Sequence, residues 1–436
     1  MSSRLRTEPS HLRGDPAALV AAACAFAAAE LGAGLLLGGF FAQGRAEALL
    51  FLAFRPWLLL AAAAFASRLP WRRSLGFYLL ALAVAGTAEA LLLLALGGVP
   101  LAESVRGWGA GLAFVLIFDL LLRLARRIAG RWAAAAMAIG LVVLLLIVPG
   151  SLRPYERLVI GDTAPVAAAD RPRLLLMTGL PLIWGEAGPF APDSRPAAAY
   201  VQLQQEFAIR PIDHVDEAAL AGERLMLLAQ PRGPEPRELV ALDRWVAEGG
   251  RVLVLADTEL AWPSRLPPGD SRRPPSATGL APLLRHWGLR LDRSAPRSIR
   301  SERVADGDRT RRLVLHSPGR FTALDEACRV GPEDWLARCG IGKGEAWIVA
   351  DADLLRDDLW VGPGPRGPER HGRSADNPIL VAAWLDSLAG LERERTALPV
   401  HWQDPEASPG LALLLASFPV AAGLGLAGIL RRRRRL

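Results

Sequence analysis

The chain has 436 residues, is 51% hydrophobic with a mean hydropathy of +0.23, and carries a formal net charge of +7. That is too apolar for an ordinary soluble enzyme and fits a chain that is part membrane and part aqueous. The basic excess does not mark nucleic-acid binding: residues 1–150 sum to +6, residues 151–408 to −4, and Arg431–Arg435 add +5, so the positive charge flanks apolar runs rather than covering a folded domain.

After a polar start (residues 1–16), apolar runs of bilayer-spanning length, about 20 residues, occupy 17–41, 46–67, 75–97, 107–125 and 131–149, and a sixth occupies 409–430. The second is weakest, because Arg55-Pro56 interrupts it. The first is too long for a signal peptide and is followed by further spans, so it reads as a retained helix. Arg and Lys concentrate in cytoplasmic loops. With a cytoplasmic N-terminus, the inside segments hold Arg4, Arg6, Arg13, Arg68, Arg72, Arg73, Arg123, Arg126, Arg127, Arg131 and Arg431–Arg435, and the short outside loops hold only Arg45 and Arg106. The bias holds at every loop. It predicts a bacterial inner-membrane protein with a 17–149 five-helix region, a periplasmic domain at 150–408, a last span at 409–430 and a cytoplasmic Arg tail at 431–436.

Glu30, Arg55 and Glu89 fall near mid-membrane on this count. Ionisable groups there are costly and either pair or line a path. One reading is a proton or ion relay; the plainer one pairs Arg55 with Glu30 or Glu89 to hold the bundle together. Asp119 sits one turn from Arg123 and needs no special role. Cys24 lies inside the first span as a small apolar residue. Cys328 and Cys339, in CRVGPEDWLARC, are the two cysteines of the outer domain. An oxidising compartment allows a disulfide between them; two buried thiols are the alternative, and a metal site lacks the further ligands it would need.

Within 150–408 the pattern alternates. RPRLLLMTG (171–179), IRPIDHV (209–215), RLMLLAQP (224–231) and RVLVLAD (251–257) read as strands. PAAAYVQLQQEF (196–207), PEPRELVALDRWVAEGG (234–250) and TGLAPLLRHWG (278–288) read as helices; in the second, Leu239, Leu242 and Val246 share a face and Gly249-Gly250 end it. RRLVLHS (311–317), WLARCGI (335–341) and EAWIVAD (345–351) are later strands, with IGKGE as a tight turn, and DNPILVAAWLDSLAG (376–390) is a closing helix. Segments 263–277 and 361–375 read as exposed loops. Alternating strands and helices predict an α/β domain with a mainly parallel sheet covered on both faces, extended by an antiparallel hairpin, beside an α-helical transmembrane bundle.

Three stretches, PRGPEPRELVALDRWVAEGGRVLVLAD, GKGEAWIVADADLL (342–355) and DNPILVAAWLDSLAG, come in an order that resembles the extracytoplasmic domain of GldG-like auxiliary subunits of ABC-type transport systems. The resemblance spans about 171–390, half of the chain. It implies a flavodoxin-like sheet of the class I glutamine-amidotransferase type, a membrane anchor, no cofactor, and an ATPase and a permease on other chains as partners.

The amidotransferase-like fold invites a search for a nucleophile. Such enzymes carry a Cys on a sharp turn after a strand, with a His as base. Here that strand end reads LVLADTEL, and His214, His286, His316 and His371 form no motif. HExxH and GxSxG are absent, and GIGKGE lacks the Gly spacing and the Ser or Thr of a P-loop. Ligands of open α/β sheets sit beyond the carboxyl ends of the strands. Those ends offer Trp184 and Glu186, then Asp257 and Glu259, then Asp351 and Asp353: an acidic rim with an aromatic, suited to a sugar, a peptide or a cation. Equally, the aspartates would cap turns and helices, and Trp184 would pack in a core or at an interface. The expected role is non-catalytic binding of a ligand or partner. The rivals are a glycan-active envelope enzyme, which needs two carboxylates facing one cleft, and a structural scaffold, which needs none.

Overall fold

The computed structural model describes residues 15–36, 54–96, 101–147, 167–293 (save 187 and 193), 298–361 (save 308), 373–393 and 407–433. The chain divides into two compact units, residues 1–163 with 401–436, and residues 164–400.

The first unit is helical: α1 (Pro16–Leu36), α2 (Arg55–Ala66), α3 (Trp71–Ala95), α4 (Leu101–Ile147) and the C-terminal α11 (Pro409–Arg433). Among the described residues, four stretches are long and apolar enough to cross a membrane: Pro16–Gly34, Trp71–Ala95, Val105–Leu145 and Pro409–Arg433. Large apolar side chains such as Leu79, Leu94, Ile117, Leu120, Phe418 and Leu424 point outward from them, as a lipid-facing surface requires. α2 has 12 residues, about 18 Å at the α-helical rise, too short to span alone. The upstream part of the expected second span, 46–53, lies outside the described residues, as do the chain start, Arg45 and the end of the expected first span. The fourth and fifth expected spans are not separated by a loop: the chain stays helical through the Arg-rich stretch and breaks only at Ala129 and Gly130, where φ is +79°. The arginines are engaged elsewhere. Arg123 donates to Asp119 Oδ2 (2.6 Å) and to the Leu69 and Ala66 carbonyls, and Arg126 donates to the Ser67 carbonyl (2.6 Å). They close the C-terminal end of α2, where carbonyls have no helical partner.

The second unit is an α/β domain. A seven-stranded sheet runs β2 (Ala208–Pro211), β1 (Arg173–Thr178), β3 (Leu225–Ala229), β4 (Arg251–Leu255), β11 (Gly344–Val349), β10 (Leu336–Ile341), β9 (Cys328–Val330). The first five are parallel; β10 is antiparallel to both neighbours. The central strands are buried on both faces, which is why they read as unbroken apolar runs. The crossovers β1–α5–β2 and β3–α7–β4 run in opposite directions along the sheet, so right-handed connections place α5 (Ala198–Glu206) and α7 (Pro236–Ala247) on opposite faces. α10 (Asn377–Ala389) packs with α5 and over β3, β4 and β11.

The stretch 232–257 supplies α7 and β4. α7 opens with a reciprocal capping box between Glu235 and Glu238 and buries Leu242 and Val246. Between β4 and β11 lie a helix, α8 (Ala281–His286), and two small antiparallel pairs: β5 (Leu289–Asp292) with β8 (Arg320–Ala323), and β6 (Ile299–Asp306) with β7 (Arg309–His316). Sequence pattern gave β7 but not β5, β6, β8 or β9. Two short helices, α6 (Glu217–Leu220) and α9 (Asp357–Trp360), complete the unit.

Candidate functional site

The carboxyl ends of β4 and β11 are neighbours in the middle of the sheet, and each strand ends two residues before an aspartate. Asp257 follows β4; Asp351 and Asp353 follow β11. The three carboxylates converge, with oxygens of all three lying within 4.8 Å of one another. The expected solvent-facing acidic rim is therefore a buried knot: all three residues have zero exposure. Three segments close over it, 259–261, 316 and 352–356. Asp257 Oδ1 accepts from the Glu259 amide (2.7 Å) and Oδ2 from the Ala352 amide (3.4 Å). Asp351 accepts from the His316 amide at the end of β7 (2.6 Å) and from the Leu354 amide of the one-turn helix Asp353–Leu355 (3.1 Å). Asp353 accepts from the Ala261 amide (2.7 Å) and from Arg356 Nη1 (3.5 Å).

Burial in low dielectric disfavours the charged form of a carboxyl, and like charges add to the effect. Burial, opposed by the Glu259 amide bond and reinforced by the neighbouring Asp353, leaves Asp257 pushed up to about 7. Asp351 is held well above the usual carboxylate range by burial and by the charges of Asp257 and Asp353. Burial raises Asp353 as well, against its amide bond and Arg356. Asp257 thus titrates near neutrality, and its two neighbours are shifted in the same direction. The cluster's spacing would admit a cation, but each of the six oxygens faces an N–H of the protein itself, which is the chemistry of a structural latch rather than of an open ligand shell.

Sequence pattern missed two members of this latch. Gln230, just past β3, has φ of +43° and clamps the Asp257 backbone, its Oε1 accepting from the Asp257 amide (2.8 Å) and its Nε2 donating to the Asp257 carbonyl (3.2 Å). His316 places Nδ1 at 3.9 Å from Asp353 Oδ2, and the next residue, Ser317, has φ of +54°. Strained backbone at two chain reversals beside one cluster is maintained only where the surroundings enforce it. Gln230 stands at a strand carboxyl end, the same signal that pointed to Asp257; His316 also ends a strand, β7, but one of the inserted pair outside the parallel sheet.

The other expected rim residues do not join the knot. Glu259 and Trp184 are exposed, and Trp184 shares its loop with Phe190, which is 98% exposed. Glu186 Oε2 accepts from the Arg265 amide (2.9 Å). Cys328 and Cys339 sit opposite each other in the β9–β10 ladder and form a disulfide. Glycines shape the IGKGE turn: Gly342 has φ of +57°, and a Cβ on Gly344 would meet the Val246 carbonyl at 2.0 Å. In the helical unit, Arg55 pairs with Glu30 and Glu89 together, not with one of them. Cavities of 690 Å³ and 830 Å³ in the α/β unit are lined around Trp245 and around Arg338, away from the three aspartates.

Residues 171–298 match the family model described as an ABC-type uncharacterized transport system. This is the segment in which the resemblance to ABC-type auxiliary subunits begins. The match suggests an accessory component of a transport system, and the four apolar helices are compatible with membrane anchoring. No curated protein matches the chain. Among solved structures, the mmIFT52 N-terminal domain is similar at 14% identity and a TM-score of 0.32, covering 51% of this chain and 99% of that one. The exo-β-1,4-mannosidase Op5Man5 from Opitutaceae bacterium strain TAV5 is similar at 14% identity and a TM-score of 0.31, covering 50% of this chain and 36% of that one. A β-galactosidase from Bacillus circulans sp. alkalophilus is similar at 15% identity and a TM-score of 0.25, covering 51% of this chain and 31% of that one. The chain thus spans about a third of the length of these two glycosidases. At such scores none of the three likenesses carries an argument.

Proposed function

We propose that this protein is a non-catalytic, membrane-anchored accessory subunit of an ABC-type transport or envelope-assembly system, whose ATPase and permease are separate chains. The family match over 171–298 carries the reading. In it, both termini are cytoplasmic, the two arms of α4 count as separate spans so that six segments cross the inner membrane, and 150–408 is periplasmic. The distribution of arginines and the Cys328–Cys339 bond support that orientation. The strand order β2-β1-β3-β4-β11 is the 2-1-3-4-5 order of doubly wound flavodoxin-like sheets and supports that fold. Because Asp257, Asp351 and Asp353 are sealed in, the glycan-active alternative loses the paired open carboxylates that it needs. The partner surface is better sought at the carboxyl end of β1, where Trp184 and Phe190 stand exposed in one loop next to Glu186; large aromatics are enriched at interface centres.

The test is copurification of a C-terminally tagged full chain from membranes, combined with protease access from either side. Recovery of an ATP-binding subunit and a permease, lost in Trp184→Ala/Phe190→Ala, is the expected result. A domain accessible only from the cytoplasmic face would overturn the orientation, and specific recovery of no transport component would overturn the accessory role.

A further inference from the structure

The helical unit buries three ionisable side chains against one another: Glu30 on α1, Arg55 on α2 and Glu89 on α3. Arg55 Nε donates to Glu30 Oε1, and its Nη2 donates to Glu89 Oε2. Glu89 Oε2 also accepts from Trp108 Nε1 of α4 at 3.4 Å. Glu89 Oε1 is buried and has no hydrogen-bond partner. One guanidinium therefore serves two carboxylates, and one carboxylate oxygen is left over in a residue that is 1% exposed.

Among the described residues, nothing else on the helices around it balances the second carboxylate. Glu30 is the one charged residue within α1, whose Cys24 lies against Gly423 of α11; Arg55 is the one charged residue within α2; and α11 is charged only at its end, Arg431–Arg433. On α4, Arg106 is exposed, while Asp119 is engaged with Tyr78 (2.8 Å) and Arg123 (2.6 Å) in a separate network that includes Ser74. On α3 itself, Arg72 and Arg73 stand at the opposite end from Glu89, in the first turn. An unbalanced carboxylate charge in such surroundings is expensive, and a buried acid neutralises itself by taking a proton.

We propose that the Glu30–Arg55–Glu89 cluster is a proton-binding site: Arg55 holds Glu30 as an ion pair, and Glu89 carries an exchangeable proton on Oε1, taken from and returned to water. The helical unit then has two charge states, and protonation changes how tightly α3 is held to α2, because Arg55 binds a carboxylate more strongly than an acid.

Infrared spectra of the full chain in lipid nanodiscs, from about pH 5 to about pH 9, test this directly. The wild type should show the carbonyl stretch of a protonated carboxyl at neutral pH and lose it on alkalinisation. Glu89→Gln removes the acid and Glu30→Gln restores charge balance, so each should abolish the neutral-pH band. A hydrophobic carbodiimide, which reacts with protonated carboxyls in apolar surroundings, should label the wild-type chain at Glu89 in a pH-dependent way, and this readout needs no variant. A band untouched by either substitution, or no band and no adduct at any pH, overturns the proposal. So would sodium-dependent stabilisation without a band, since a metal cation would then balance the charge.

Discussion

Asp257 is the residue whose chemistry is most exposed to experiment. Its carboxyl is pushed up to about 7, against about 3.9 for a free aspartate. Between those values the folded domain binds more protons than the unfolded chain, so stability falls as pH rises. The contribution is complete below the unfolded value and is lost as pH passes through about 7. The unfolding midpoint of the α/β domain should therefore be higher near pH 5 than near pH 8, the reverse of ordinary acid denaturation. Asp257→Asn keeps the short bond from Glu259 on its amide oxygen and replaces only the long one from Ala352; it should flatten the slope while leaving the fold intact. A slope unchanged in that variant would place the titrating protons on groups other than Asp257. In the helical unit, Arg55→Leu leaves Glu30 and Glu89 buried without their shared cation. Removing one side of a buried ion pair costs about 3–5 kcal/mol. Thermal unfolding in detergent should show that loss, with partial recovery on acidification.

At the scale of elements, the β10–β11 hairpin draws its tolerance from its turn. Lys343 sits between Gly342 and Gly344, and its amide donates to the Ala247 carbonyl (2.8 Å) at the end of α7. A Cβ at Gly344 would lie 2.0 Å from the Val246 carbonyl and 2.3 Å from that of Gly250, both backbone atoms. Gly344→Ala should then separate the hairpin from α7 and cost several kcal/mol, roughly the penalty of an overpacked core, whereas Lys343→Ala should be neutral; equal midpoints for the two variants would refute this placement. The neighbouring β9 is three residues long and joined to β10 by Cys328–Cys339. Reduction should lower stability by roughly 3 kcal/mol in the chain-entropy model, with hydrogen exchange rising first in 328–339. These elements also show what sequence could and could not reveal. LMLLA, and RVLVL after its opening Arg251, are apolar because both faces of a central parallel strand are covered, and such runs are legible. IRSERVAD alternates between partial and full exposure, with no apolar face, so β6 gave no periodic signal. Asp257, Asp351 and Asp353 were legible as strand ends, but their burial was not, because the bonds from Ala261 to Asp353, from His316 to Asp351 and from Ala352 to Asp257 join segments distant in sequence.

Across the whole molecule, the two units bury their apolar residues in different ways, and this predicts how they behave apart. The α/β unit has one continuous core, from Leu174 through the central strands to Leu388, drawn entirely from residues of 164–400. Its exposed large apolar side chains are scattered singly, apart from Trp184 and Phe190, as on ordinary soluble domains. The helical unit instead turns Ile128, Trp132, Ile139, Leu414 and Phe418 outward along helices of spanning length, a surface that water does not tolerate. A fragment of residues 164–400 should fold alone as a soluble protein with its disulfide formed, and should keep the pH slope set by the aspartate knot. Its unfolding midpoint should equal that of the α/β transition in the full chain, since the contacts that hold its core are internal. A fragment that is soluble but melts well below the full-chain transition would show that the domain depends on the membrane part for stability. Aggregation that Trp184→Ala/Phe190→Ala relieves would instead trace to the exposed aromatic loop, and aggregation without that relief would count against an autonomous core.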